Sequence, residues 1–368
     1  MEQGQTSPFA FRPRLVFWET TRACLLACRH CRAEAEPTPR PGELTTEEGF
    51  ALLEAIAGFG APPPLVVFTG GDLLMRADID RLLGRAHALG LTTAVSPAVT
   101  GKLTREQIAR FAELRVHSLS VSLDGMEAVH DRIRGVAGTF RRSVGALREA
   151  MRLGLAVQVN TVVMRPTIPD LPDLAALLLD EGVPVWEVFF LVPTGRAAQD
   201  LLPTAWEIWD VLHFLLDVGR FGLTVRTVEG PFLRRVLRER LEEGRFGGPL
   251  WARLSGRFTA GRGAPKEEGY PRLRRGTLDG DGIVFVAYDG EIYPGGLLPL
   301  SLGNVRRDSL VEVYRSHPLL KAIRARAFDG PCGSCADRFT CGGSRARAYV
   351  LTGDPLGSDP SCLRAWAA

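Results

Sequence analysis

Three of the seven cysteines stand together as Cys24-x3-Cys28-x2-Cys31. Thiolates are soft ligands that favour iron–sulfur clusters, zinc or copper. Three of them hold three irons of a four-iron cubane and leave the fourth open. An open position separates a metal centre that does chemistry from one that only holds structure. Two other readings stand beside this one: three buried cysteines without metal, or a zinc site completed by His30. Zinc draws more often on paired Cys-x2-Cys units. The other four cysteines run Cys332-x2-Cys335-x5-Cys341, with Cys362 following 21 residues later. Four thiolates close a site completely, which suits an electron-transfer cluster or a structural four-cysteine zinc site. Spacing alone leaves both open.

Composition narrows the setting. The 368 residues are 45% hydrophobic and 24% charged, as in a globular protein with a full-sized core. Forty-five basic residues against 42 acidic ones leave a net charge of +3. That is no basis for a nucleic-acid partner, which calls for a concentrated basic excess. Lysine occurs only at Lys102, Lys266 and Lys321, a bias read as genome composition. No run reaches the roughly 20 apolar residues of a membrane span. The opening residues lack a secretory pattern. A cytoplasmic location is therefore expected, where disulfides are rare and cysteines call for metal or redox chemistry.

The elements that position the first cysteines read as strand–helix units. Strands are expected at Leu15–Trp18, Leu65–Phe68, Thr93–Val95, Leu119–Leu123, Val157–Val163, Val188–Val192 and Leu223–Val228. These short apolar runs suit a parallel sheet buried on both faces. Between them, Thr45 with Glu48, Thr104 with Gln107 and Thr204 with Glu207 fit capping boxes. Gly60, Gly90, Gly154, Gly182 and Gly219 fall where helices would stop. An α/β fold follows, with right-handed crossovers and a sheet that is open or curled into a full or partial barrel. Beyond Glu229 the reading is a helix over Phe232–Gly244, then a Gly- and Arg-rich loop over Ser255–Gly282. A hairpin turning at Asp289-Gly290 and one helix over Leu310–Arg326 follow. The last 40 residues carry four cysteines and little apolar periodicity, as in a region held by metal rather than by a core.

With the cysteines placed after the first strand and aromatic His30 before the third of them, the chain resembles the radical S-adenosylmethionine (SAM) superfamily. That resemblance implies a partial (β/α)6 barrel over 14–230, after an N-terminal extension of 1–13. A helix and linker over 231–282 and a small auxiliary-cluster region over 283–368 complete it. It implies a four-iron cluster on Cys24, Cys28 and Cys31 that binds SAM and delivers an electron to its sulfonium. Methionine and a 5′-deoxyadenosyl radical result, and the radical takes hydrogen from substrate. Phe68-Thr69-Gly70-Gly71-Asp72 resembles the family's Gly-Gly-Glu-Pro element at the SAM amino group, with Asp72 in place of Glu and Leu73 in place of Pro. Ser120-Val-Ser-Leu-Asp124-Gly125 resembles the Ser-Leu-Asp-Gly element, which brings Ser122 to SAM. Arg134 is expected at the SAM carboxylate, and Asn160 and Val192 at the adenosine.

The C-terminal segment resembles the SPASM and twitch extensions of the same superfamily. Cys341-Gly-Gly-Ser-Arg-Ala-Arg-Ala-Tyr349 with Asp359-Pro-Ser-Cys362 looks closest to haem-modifying members. The resemblance implies a second four-iron cluster on Cys332, Cys335, Cys341 and Cys362. Full SPASM domains hold two auxiliary clusters, but Tyr293-Pro294-Gly295-Gly296 carries no cysteine, so one is expected. The implied substrate is a tetrapyrrole side chain, with Arg226, Arg234 and Arg235 as candidates for its carboxylates. The implied partner is an electron donor such as flavodoxin or ferredoxin. Two alternatives remain: maturation of a ribosomally made peptide, and a zinc-stabilised interaction module on a silent barrel. Only 23 residues precede Cys24, which speaks against a fused peptide-recognition domain.

Overall fold

A computed structural model describes residues 7–266, 269–270 and 276–363. Seven parallel strands form its core: β1 (Leu15–Glu19), β2 (Leu65–Thr69), β3 (Thr93–Val95), β4 (Ser118–Ser122), β5 (Ala156–Val163), β6 (Val185–Phe190) and β7 (Thr224–Val228). The helices between them are α1 (Thr46–Ala57), α2 (Ile79–Ala88), α3 (Arg105–Glu113), α4 (Glu127–Arg134), α5 (Thr139–Arg152), α6 (Leu171–Asp180) and α7 (Ala205–Gly219). Then come α8 (Leu233–Glu242), α9 (Pro249–Thr259), β8 (Leu278–Asp279), β9 (Gly282–Val286), β10 (Glu291–Tyr293) and β11 (Gly303–Asn304). Last are α10 (Leu310–Ser316), α11 (Pro318–Ala325), α12 (Gly330–Ser334) and α13 (Arg345–Thr352).

Alternation along the strands separates two faces. In β4, Leu119 and Val121 are fully buried and share one core with Trp18, Phe68, Leu52, Leu53 and Leu147. Ser118, Ser120 and Ser122, pointing the other way, are only half-buried. Period-two geometry thus puts apolar side chains under the helices and polar ones on the opposite face. The capping boxes of Thr45–Glu48 and Thr204–Glu207 form as expected. Thr104 accepts from the Gln107 N–H without the reciprocal contact.

The sheet does not end at β1. Its order is β11-β10-β9-β1-β2-β3-β4-β5-β6-β7, with β9 parallel to β1 and β10 antiparallel to β9. The hairpin expected in the C-terminal region is therefore continuous with the sheet that carries the first cysteines.

Three expectations shift. The sixth strand begins at Val185, three residues early, and stops at Phe190, which leaves Val192 in the following loop. Its apolar run extends through Leu191-Val192, so hydrophobicity alone marked no end. The single helix over Leu310–Arg326 is two, because Pro318 offers no N–H to continue the first. The loop over Ser255–Gly282 takes up the end of α9 and all of β8, and residues 267–268 and 271–275 lie outside the described ones. Among the described residues, no helix is long and apolar enough to cross a membrane.

Candidate active site

The loop that leaves β1 is fastened to the end of β2 by its backbone. Thr20 N–H donates to Thr69 O (2.8 Å), Gly71 N–H to Thr21 O (2.8 Å) and Asp72 N–H to Ala23 O (2.7 Å). Cys24 N–H in turn donates to Glu36 O at 2.7 Å, closing the loop on itself. Gly70 and Gly71 are glycines for this reason. A Cβ on Gly70, whose φ is +145°, would strike Thr21 O, and one on Gly71 would lie 2.5 Å from Ala23 O. The close approach that these glycines allow is to the cysteine loop.

Cys24 and Cys28 are buried and Cys31 half-buried, near enough that each ionised sulfur would repel the others. Burial pushes the Cys24 thiol up to about 12, and it raises Cys28 as well. Two backbone N–H groups already point at sulfur, Leu26 to Cys24 at 3.4 Å and Ala35 to Cys31 at 3.5 Å. Three clustered soft donors, with amides aimed at two of them, suit a cationic iron–sulfur group. Among the described residues no three ligand side chains already converge as a closed cage.

The Asp72 carboxylate is bonded within the protein. It is fully buried, accepts from Thr100 Oγ1 (2.8 Å) and Leu74 N–H (3.1 Å), and caps a 3-10 turn. Arg134 is likewise committed. Its guanidinium pairs with Asp124 at 2.7 Å and donates to Cys28 Sγ at 3.8 Å. Asp124 is anchored by Val162 N–H (2.9 Å), while its own N–H donates to His130 Nδ1 (3.0 Å). Despite burial, the Arg134 guanidinium and the Val162 N–H hold Asp124 below its ordinary value. Burial holds His30 and His130 down to about 4, so both are neutral at physiological pH. His30 Nε2 faces Asp124 at 3.7 Å.

One register row crosses the polar face: Ser122 is opposite Asn160, Asn160 opposite Glu187, and Glu187 opposite Arg226. Gln158 Nε2 ties it together, donating to Asn160 Oδ1 (2.8 Å) and Glu187 Oε2 (2.6 Å). Burial raises Glu187, opposed by Arg226 and Gln158. Ser122 and Asn160 therefore come together on adjacent strands. Gln158 and Glu187 were missed, because a polar residue within an apolar strand reveals its neighbours only once the strands are in register. Val192 does not join the row. It is 2% exposed and packs with Leu298 and Ala346 in an apolar seam to the C-terminal segment.

Of the three candidate arginines, only Arg226 lies exposed on this row. Arg235 is buried, bonded to Glu239 (2.8 Å) and to Cys362 Sγ (3.4 Å). Arg234 reaches Thr340 O (3.3 Å). Both reach the C-terminal segment.

In that segment, ionised Cys332 and Cys362 would both act on Cys341, whose thiol burial pushes up to about 12. Asp337 N–H donates to Cys335 Sγ (3.3 Å) and Gly343 N–H to Cys341 Sγ (3.5 Å). Arg345 Nη2 donates to Cys332 Sγ at 3.9 Å while Nη1 reaches Gly357 O (2.7 Å) and Pro355 O (3.2 Å). A Cβ on Gly343 (φ +65°) would fall 2.6 Å from Arg345 Nη2, so glycine there admits the guanidinium. Arg347 forks onto Asp359 with two 2.8 Å bonds and donates to Glu229 O at 3.1 Å. Ser344, the N-cap of α13, donates to Glu229 Oε2 and ties the segment to the end of β7. The donor set and its amide and guanidinium partners suit a four-thiolate cluster. At the hairpin, Asp279 Oδ1 occupies the space a Cβ on Gly295 would need.

Residues 18–178 match the family model described as the Radical SAM superfamily. The AdoMet-dependent heme synthase of Oleidesulfovibrio alaskensis is 36% identical over 354 residues, 95% of this chain and 87% of that protein. The pre-heme d1 synthase of Dinoroseobacter shibae is 30% identical over 95% of this chain and 85% of its own length. SuiB of Streptococcus suis, solved bound to S-adenosylmethionine, shares the fold with a TM-score of 0.71 at 16% identity. That likeness covers 96% of this chain and 78% of SuiB.

Proposed function

The chain belongs to the radical SAM superfamily, and from that premise we propose that it oxidatively modifies a tetrapyrrole side chain. Its enzymatic chemistry is radical-based, and the family brings SAM and a four-iron cluster to the barrel. When bound, that pair supplies a 5′-deoxyadenosyl radical able to take hydrogen from an unactivated carbon.

This chain's residues have separate roles in the proposal. Cys24, Cys28 and Cys31 hold the cluster, in a loop whose position Gly70 and Gly71 fix through backbone pairing with β2. Ser122 and Asn160, adjacent across β4 and β5, orient SAM from the polar face. Exposed Arg226, at the end of the same row, receives a substrate carboxylate as a planar fork. Cys332, Cys335, Cys341 and Cys362 hold a second cluster in electron-transfer contact with the substrate radical. An external electron carrier completes the cycle.

The observation that carries the tetrapyrrole reading is the extent of the likeness. Identity of 36% to a heme synthase runs over 95% of the chain, through the barrel and into the C-terminal cysteines alike. Reduced, reconstituted protein should release 5′-deoxyadenosine from SAM, and an iron porphyrin bearing propionates should accelerate release and be converted. Acceleration by a precursor peptide and indifference to porphyrins would replace this reading with peptide maturation.

A further inference from the structure

Among the described residues, the two cysteine sets carry equal numbers of backbone donors and unequal numbers of guanidiniums bonded to sulfur. In each, two backbone N–H groups point at sulfur at 3.3 to 3.5 Å. Around Cys24, Cys28 and Cys31 one guanidinium reaches a sulfur, that of Arg134, and Asp124 neutralises it at 2.7 Å. One carboxyl group acts on each set, Asp72 on Cys24 and Asp359 on Cys341, and Arg347 forks onto Asp359. Around the C-terminal set two buried guanidiniums reach sulfur: Arg235 at Cys362 (3.4 Å) and Arg345 at Cys332 (3.9 Å).

These two are compensated differently. Arg235 has Glu239 at 2.8 Å. The hydrogen-bond acceptors of Arg345 are the carbonyls of Pro355 and Gly357, and its guanidinium lies 4.2 Å from the ring centre of Phe328. Burial raises Glu229 and Asp279, on which its charge acts, and the nearby carboxylate of Asp359 is already forked by Arg347. Arg345 is 1% exposed, so little water screens its charge from Cys332.

Cluster potential follows net charge, hydrogen bonds to sulfur and solvent exposure. A cation favours the reduced, more negative state. Resting on the reading that the C-terminal cysteines hold a cluster, we propose that Arg345, supported by Arg235, raises the reduction potential of that centre above that of the centre on Cys24, Cys28 and Cys31. The C-terminal centre is then the easier of the two to reduce, as an acceptor of electrons from an oxidised substrate requires. Arg345 is a positioning residue here: it touches a ligand sulfur and no reacting atom.

The test is an EPR-monitored potentiometric titration of the full, reconstituted chain, with and without SAM. SAM perturbs the signal of the centre with an open iron and leaves the other unchanged, which assigns the two. In the unaltered protein the SAM-insensitive centre should titrate at the higher potential. Arg345→Gln should lower that midpoint by about a tenfold change in the reduction equilibrium, 59 mV for one electron, and Arg345→Lys should retain most of it. Glu239→Gln, which uncovers the charge of Arg235 without removing a cation, should move the same midpoint upward. The SAM-sensitive midpoint should stay in place throughout. A SAM-insensitive midpoint at or below the other, or one unmoved by both Arg345→Gln and Glu239→Gln, overturns the proposal. A single titrating centre with stoichiometric zinc removes the two-cluster reading itself, and the proposal with it.

Discussion

The loop of Cys24, Cys28 and Cys31 and the segment of Cys332 to Cys362 hold similar ligands by different means. The loop is fixed by main chain: amides and carbonyls of residues 20–23 pair with those of 69–72, and glycines let them meet. The segment is fixed by side chains: Arg345 and Arg347, both essentially fully buried, bond to Asp359 and to three carbonyls. A loop beside a parallel sheet inherits the order of that sheet. A segment with a small apolar core has no such template, and buried ion pairs define its one arrangement. Such pairs add little net stability when intact, yet removing one partner is costly.

The largest expected contrast is chemical. Cys28→Ala should abolish 5′-deoxyadenosine release and leave about four of about eight irons per chain, at four per cubane. Cys335→Ala should lose a similar share of iron while uncoupled SAM cleavage persists. Zinc in place of the second four irons, measured by metal analysis, would break the symmetry of the two centres and favour a structural site.

Next comes the cost of breaking each ion pair. Asp359→Ala leaves Arg347 buried without its fork and should destabilise the C-terminal segment by about 3–5 kcal/mol. Urea unfolding followed by hydrogen exchange should place the loss at residues 344–359 and spare residues 20–36.

The two regions should also separate by pH. Folded His130 is held down to about 4, against 6.5 in the unfolded chain. Between those values the unfolded state binds the extra proton, so stability around Asp124 should fall by up to about 3 kcal/mol as pH drops through the window. The pair of Arg347 with Asp359 depresses the carboxylate below 3.8, so its contribution is present above that pH and lost only below it. Hydrogen exchange at residues 124–135 should therefore accelerate before exchange at 344–359. Simultaneous acceleration would count against the separation.

The smallest effect tests the seam between the regions. Ser344→Ala removes the cap of α13 and the bond to Glu229, and should cost about 1 kcal/mol, read as a shift in thermal midpoint. A null result would place the seam's stability in Val192, Leu298 and Ala346 instead.

Much of this was legible beforehand because local chemistry decides it. The strand–helix alternation, the cap residues Thr45 and Thr204, and the grouping of seven cysteines as three and four depend on neighbours in the chain. What stayed hidden depends on distant partners. Arg134 pairs with Asp124 and reaches Cys28, Asp72 accepts from Thr100, and Arg235 donates to Cys362 across 127 positions of sequence.

The sequence by itself determined that three soft ligands follow the first strand, that four more end the chain, and that a parallel α/β sheet lies between. Ligand type and periodicity are properties of residues and need no partner to be read. Tertiary structure alone decided which charges face the sulfurs, which polar strand residues share a row, and that β9 extends the sheet from β1. The reason is that a buried charge is stable only beside its counterpart, and that counterpart is chosen by strand register and helix packing rather than by proximity along the chain.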